Sequence, residues 1–241
     1  MTVLQGLLLP FLGTSLGALC VFFLRRDFSP ILAKGLYGFA GGVMTAASIW
    51  SLLLPAIETA GNGPLALIPT AGGFLLGGAS LLLLDRILPT KEGSRLFLAV
   101  TLHNVPEGLA IGVVLAGFLA GGGGITAMGV LSLAIGVAAQ NVPEGAVISL
   151  PLHAQGLSRP RAFLRGVLSG AVEPAAGAAA LLAASLVTPI LPFLLSFAAG
   201  CMIYVVVKEL APAACDEKSY IGCALFFAGF ALMMVLDVAM G

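Results

Sequence analysis

Runs of about 20 mostly apolar residues, each long enough to cross a bilayer as one helix, follow one another along this chain without a gap large enough for a soluble domain. With 59% hydrophobic and 9% charged residues and a mean hydropathy of +1.10, the 241-residue chain has too little polar surface to clothe a water-soluble globule. In hydrocarbon every backbone polar group must be satisfied within the protein, which leaves helices for runs of this length. The sequence therefore predicts an all-α membrane protein forming one domain over 1–241. Eight transmembrane helices are expected, near 3–24, 36–57, 64–84, 96–120, 124–150, 162–186, 188–208 and 219–240. Two of the divisions rest on short connectors, the GGGG at 121–124 and the step at Thr188-Pro189.

The basic residues orient these spans. No Lys or Arg precedes the first run, and Arg25 and Arg26 follow it, which reads as a retained helix rather than a cleaved signal. The 11 Lys and Arg residues cluster on alternate loops: Arg25, Arg26 and Lys34; Arg86, Lys91 and Arg95; Arg159, Arg161 and Arg165; Lys208 and Lys218. Bases are retained on the cytoplasmic side. That places both termini outside. The outer ends carry Glu58 and Asp237, a sign of charge that would gather cations, although orientation alone accounts for the asymmetry equally well. Cys20, Cys201, Cys215 and Cys223 form no CxxC pattern and are assigned no chemistry.

Two phrases break the apolar pattern. HNVPEG at 103–108 and QNVPEG at 140–145 nearly repeat, and both fall inside expected spans, as does Glu173. A carboxylate at the bilayer centre costs roughly 2.5–3.5 kcal/mol on insertion scales, so it faces a partner, a cavity or an ion. The spans that hold Glu107, Glu144 and Glu173 contain no Lys or Arg at that depth, which points to a bound cation. His103 and Glu107, four apart, share a helix face; Gln140, Asn141 and Glu144 repeat the pattern, and Asn104 turns toward a neighbouring helix. Pro106, Pro143 and Pro174 donate no backbone hydrogen bond, and are expected to release the carbonyls of Leu102, Ala139 and Gly170 and to bend their helices. Counted at about 1.5 Å per residue, the antiparallel fourth and fifth spans bring Glu107 to the level of Gln140, and His103 to that of Glu144.

An imidazole among carboxylates and amides suits a divalent first-row metal: zinc first, with iron, manganese, cobalt or cadmium also accommodated. The donors exceed the usual four of one zinc, so two adjacent metals would use them better. For Asn104 and Asn141 taken alone, helix-to-helix hydrogen bonding remains an open alternative. A transporter of divalent metal accounts for two equivalent phrases on antiparallel helices. An intramembrane metal-dependent hydrolase is the alternative, but HExxH is absent. A proton-coupled carrier of an organic solute would leave His103 and the amides unused. No Gly-rich loop ending in GK[ST] suggests self-powered pumping.

In HNVPEGLAIGV, QNVPEGAVISLPL and LSGAVEPAAG the chain resembles the ZIP family of divalent-metal transporters, and in particular its GufA-type branch, along essentially its whole length. The resemblance implies eight helices with both termini extracytoplasmic and an elevator-like movement of a bundle that carries the metal. It implies a primary metal site of Met44, His103, Glu107, Gln140 and Glu144, and an adjacent second site of Asn104, Asn141 and Glu173 with the two motif glutamates shared. Glu58 is similar to an acidic residue near the family's entrance, and Ser51 lies seven residues from Met44. It further implies metal as cargo rather than cofactor, no enzymatic activity, a multi-pass place in the plasma (cell inner) membrane, and compatibility with a homodimer. The partners expected are divalent metal ions and the lipid bilayer, and no nucleic acid. Two departures stand out: LLDRILPTKEGSRL lacks the histidines many members carry after the third helix, and Gln140 and Asn141 replace the His and Asp of other branches. His153 reads as interfacial. Glycine runs such as AGG at 40–42 and FAAG at 197–200 permit close helix approach, in a sliding or a static bundle.

Overall fold

The computed structural model describes residues 3–23, 30–61, 63–87, 92–119, 126–215 and 220–240; inside these, the side chains of His103 and Pro106 are among those outside the description. The GGGG connector and Arg25, Arg26, Lys91 and Lys218 also lie outside the described residues.

The described chain is nearly all helix, and no strand occurs in it. Helix α1 covers Val3–Phe23, α2 Ile31–Ala60 and α3 Leu67–Ile87. Helix α4 covers Glu92–Leu119, α5 Ala127–Ala154, α6 Arg159–Gly170 and α7 Val172–Leu182. Helix α8 covers Leu191–Ala214 and α9 Ile221–Met240. Among the described residues 7 helices are long and apolar enough to cross a membrane. The expected sixth span is not one of them, because it is broken. Pro174 offers no N–H to the carbonyl of Gly170, and α6 ends at Gly170 with a turn at Ala171 before α7 begins. A second break at Ala183 leads through short turns to Thr188–Ile190, where the Thr188-Pro189 connector was expected.

By contrast, α4 and α5 run as continuous α-helix through Pro106 and Pro143. Irregularity falls elsewhere. Within α2 the segment Ser48–Leu53 widens to a π-helix just before Pro55, and within α8 Val206–Leu210 does so just before Pro212. Each proline lacks the donor that would bond the carbonyl four residues back, and the wider turn absorbs that loss.

The helices pack as four close pairs: α1 along α5, α4 along α7, α2 along α9, and α3 along α8. Glycine makes the pairs close. A Cβ on Gly13 would overlap the carbonyl of Ala138, on Gly108 that of Glu173, on Gly42 that of Phe226 and on Gly77 that of Phe197. Helix α6 joins α1 and α5, so the pairs assemble into two groups, α1 with α4 to α7, and α2 with α3, α8 and α9. The groups meet where α8 crosses α4 and where α2 and α9 touch α5. The close glycine contacts fall within the groups: Gly6, Gly13, Gly108 and Gly145 meet helices of the first, and Gly38, Gly42, Gly77 and Gly200 helices of the second. Large apolar side chains such as Leu75, Leu182, Phe227 and Val238 are exposed, as a lipid-facing surface requires.

Candidate metal site

Helices α4, α5 and α7 bring polar side chains to the interior of the first group. Asn104 and Glu107 stand on one face of α4; Gln140, Asn141 and Glu144 stand on α5; Glu173 sits in the first turn of α7, where the positive end of the helix favours a carboxylate. All are buried, none more than 2% exposed. Met44 on α2 is as deeply buried, and its carbonyl accepts from Ser48 Oγ at 2.7 Å.

Hydrogen bonds tie the set together. Gln140 Nε2 donates to Glu107 Oε1 at 2.6 Å, which joins α5 to α4. Asn141 Nδ2 donates to Glu173 Oε2 at 2.8 Å and to the carbonyl of Pro10 at 3.3 Å. Thr14 Oγ1 on α1 donates to Glu173 Oε1 at 3.2 Å, so both oxygens of Glu173 are held. Asn104 Nδ2 donates to the carbonyl of Ser169 at 3.1 Å. Glu107 feels the charges of Glu144 and Glu173, and Glu173 that of Glu144, so the three acids form one electrostatic unit.

The atoms left over share one character. Asn104 Oδ1, Glu107 Oε2, Gln140 Oε1 and Asn141 Oδ1 are buried and accept no hydrogen bond. In each amide the nitrogen is fixed by an acceptor, which fixes the opposite end as oxygen. A buried acceptor without a donor costs about 1–3 kcal/mol. Helix-to-helix hydrogen bonding, the alternative open for Asn104 and Asn141, uses only their nitrogens. Four oxygens with electron pairs to give, among acids that repel one another, can do one thing well: bind a cation. Among the described residues no three His, Cys, Asp or Glu side chains close on one point.

Sequence reasoning missed three contributors. Thr14 is one polar residue in an apolar run, and it bonds Glu173. The closing glycines of the two phrases are packing residues: Gly108 lies against the backbone of Glu173, and Gly145 against that of Thr14. The signal was present as the repeated PEG. Each glycine thus presses its phrase onto one member of the Thr14–Glu173 bond. Outside the cluster, Ser51 Oγ donates to Asp237 Oδ1 at 2.7 Å, Glu58 is exposed, and a ring nitrogen of His153 pairs with the carbonyl of Leu157 at 2.8 Å. His103 lies one helical turn before Glu107 on α4; its side chain is outside the described residues.

Residues 93–237 match the family described as ZIP Zinc transporter. The chain belongs to the ZIP family. Its relatives include zinc transporter ZIP11 of Xenopus tropicalis, 34% identical with 99% of this chain and 97% of the relative covered. Zinc transporter GufA of Myxococcus xanthus is 36% identical over 85% of each chain. Zinc transporter ZIPB of Bordetella bronchiseptica is 37% identical, with 96% of this chain and 79% of the relative covered. As a ZIP protein the chain is a multi-pass membrane transporter of divalent metal, with zinc as substrate rather than cofactor, and not an enzyme.

Proposed function

We propose that this ZIP protein carries zinc into the cytoplasm through a binuclear site at mid-membrane. Met44, His103, Glu107, Gln140 and Glu144 hold the first ion; Asn104, Asn141 and Glu173, with the two motif glutamates shared, hold the second. The supporting observation is the set of buried oxygens on Asn104, Glu107, Gln140 and Asn141 that accept no hydrogen bond. Eight membrane crossings, counting the broken α6–α7 as one, put both termini outside and the basic ends of the helices in the cytoplasm of a plasma-membrane protein.

The glycine contacts support alternating access by an elevator movement. They bind helices inside each of the two groups, as Gly13 and Gly108 do in the first and Gly42 and Gly77 in the second. The group containing α1 and α4 to α7 carries all the polar donors except Met44, so it is the one that would slide. Zinc, or cadmium as its softer stand-in, would then be exposed to each side in turn.

The test is accumulation of radioactive zinc in liposomes containing the purified protein. Wild type is expected to accumulate zinc, and Glu107→Ala and Glu144→Ala to lose about tenfold or more, since even outer-shell partners of a metal ligand cost 10–100-fold. Uptake undiminished in both variants would overturn the proposed site.

A further inference from the structure

Cys215 and Cys223 take no part in the polar cluster. Cys215 follows the last turn of α8 and is exposed; Cys223 lies in the first turn of α9 and is half-buried. Their sulfurs are 2.6 Å apart, and neither forms a disulfide. Backbone packing builds this contact. Gly222 is buried, and a Cβ there would overlap the carbonyl of Ala214; a Cβ on Gly38 of α2 would overlap the carbonyl of Gly222. The ends of α8 and α9 are therefore pinned to each other and to α2 at backbone distance. In both segments the next residue is the cysteine.

We propose that Cys215 and Cys223 form a dithiolate site for a thiophilic divalent cation, zinc or cadmium, separate from the transport site. On binding, each thiol gives its proton to water and its sulfur a pair of electrons to the metal, so that one divalent cation replaces two protons. Waters complete the tetrahedron. With metal–sulfur bonds of about 2.3 Å, two sulfurs on one tetrahedral zinc stand about 3.8 Å apart, an opening that rotation of the exposed Cys215 side chain supplies. The pair sits at the end of the bundle that carries Lys34 and Lys208. In the orientation proposed above this is the cytoplasmic end, where thiols stay reduced and where cargo leaves. That placement rests on the proposed orientation; the binding of metal does not.

Cadmium reports on it directly, because cadmium–thiolate bonds give an ultraviolet charge-transfer band and the polar cluster contains no thiol. Reduced full-length protein in detergent is titrated with cadmium chloride. A band that saturates at one cadmium per chain is expected in wild type and in Cys20→Ser and Cys201→Ser, and it should vanish in Cys215→Ser and in Cys223→Ser. It should persist in Glu107→Ala, so that failure of the transport reading and failure of this one are told apart. Should either serine variant fold poorly, cadmium must still slow alkylation of the wild-type pair by a maleimide. A band that survives in both serine variants overturns the proposal. So does reduced wild type with no band, alkylation indifferent to cadmium, or a pair that stays a disulfide under reductant.

Discussion

The side-chain amide of Gln140 reaches across from α5 to Glu107 on α4, with Nε2 2.6 Å from Oε1. The contact joins two copies of one phrase at different positions, the first residue of one to the fifth of the other. Glu107 keeps Oε2 for a cation, and Gln140 keeps Oε1. Replacing Gln140 by Leu, similar in size but without donor or acceptor, is expected to cost about 1–3 kcal/mol of stability and most of the zinc uptake. Gln140→His offers a ring nitrogen to the metal in place of the amide oxygen and is expected to retain uptake. Equal uptake by the two variants would refute a ligand role for Gln140.

Asn141 donates to Glu173 at 2.8 Å. In Asn141→Asp that donor becomes a second anion facing the first, so the metal-free protein loses stability. A bound divalent cation restores the attraction. Thermal unfolding in detergent with and without zinc checks this: the variant should gain more from zinc than wild type does, and an equal gain contradicts a metal between these residues.

The closing glycines are predicted to be structural. Gly108→Ala and Gly145→Ala each force a methyl into a backbone carbonyl, an overpacking expected to cost about 1–3 kcal/mol or more. Gly72, beside which a Cβ meets nothing, is the control, and Gly72→Ala should unfold at the wild-type temperature. Melting of all three at one temperature would contradict the packing described.

Protons and metal compete for the same carboxylates, because a ligand must be deprotonated to bind. Lowering the pH fills these sites with protons, and uptake at fixed zinc is expected to weaken between about pH 7 and 5. A flat profile of initial rates, corrected for leak, would count against carboxylate ligands.

Much of the site was readable from periodicity. Spacing put His103 and Glu107 on one face of α4, with Asn104 turned toward a neighbouring helix, and Gln140 and Glu144 on one face of α5, and counting residues from the expected cytoplasmic ends put Glu107 level with Gln140, to which it is hydrogen-bonded. Spacing did not reveal Thr14, because one threonine in an apolar helix has the same pattern whether it faces lipid or a carboxylate. Nor did it reveal Cys215 beside Cys223, eight residues apart. Pro106 and Pro143 leave their helices unbroken, whereas Pro174 coincides with a break at Ala171 and Pro55 and Pro212 with widened turns.

Hydropathy and charge in the sequence alone determined that this chain is a membrane bundle of helices, and that Asn104, Glu107, Gln140, Asn141, Glu144 and Glu173 would be sunk in it. Only the tertiary structure decided which nitrogen satisfies which oxygen, and hence which oxygens remain for a cation. The physical reason is one of range. A helical period fixes the direction in which a side chain leaves its own helix, while the identity of the atom it meets depends on backbones pressed together by glycines far apart in the chain.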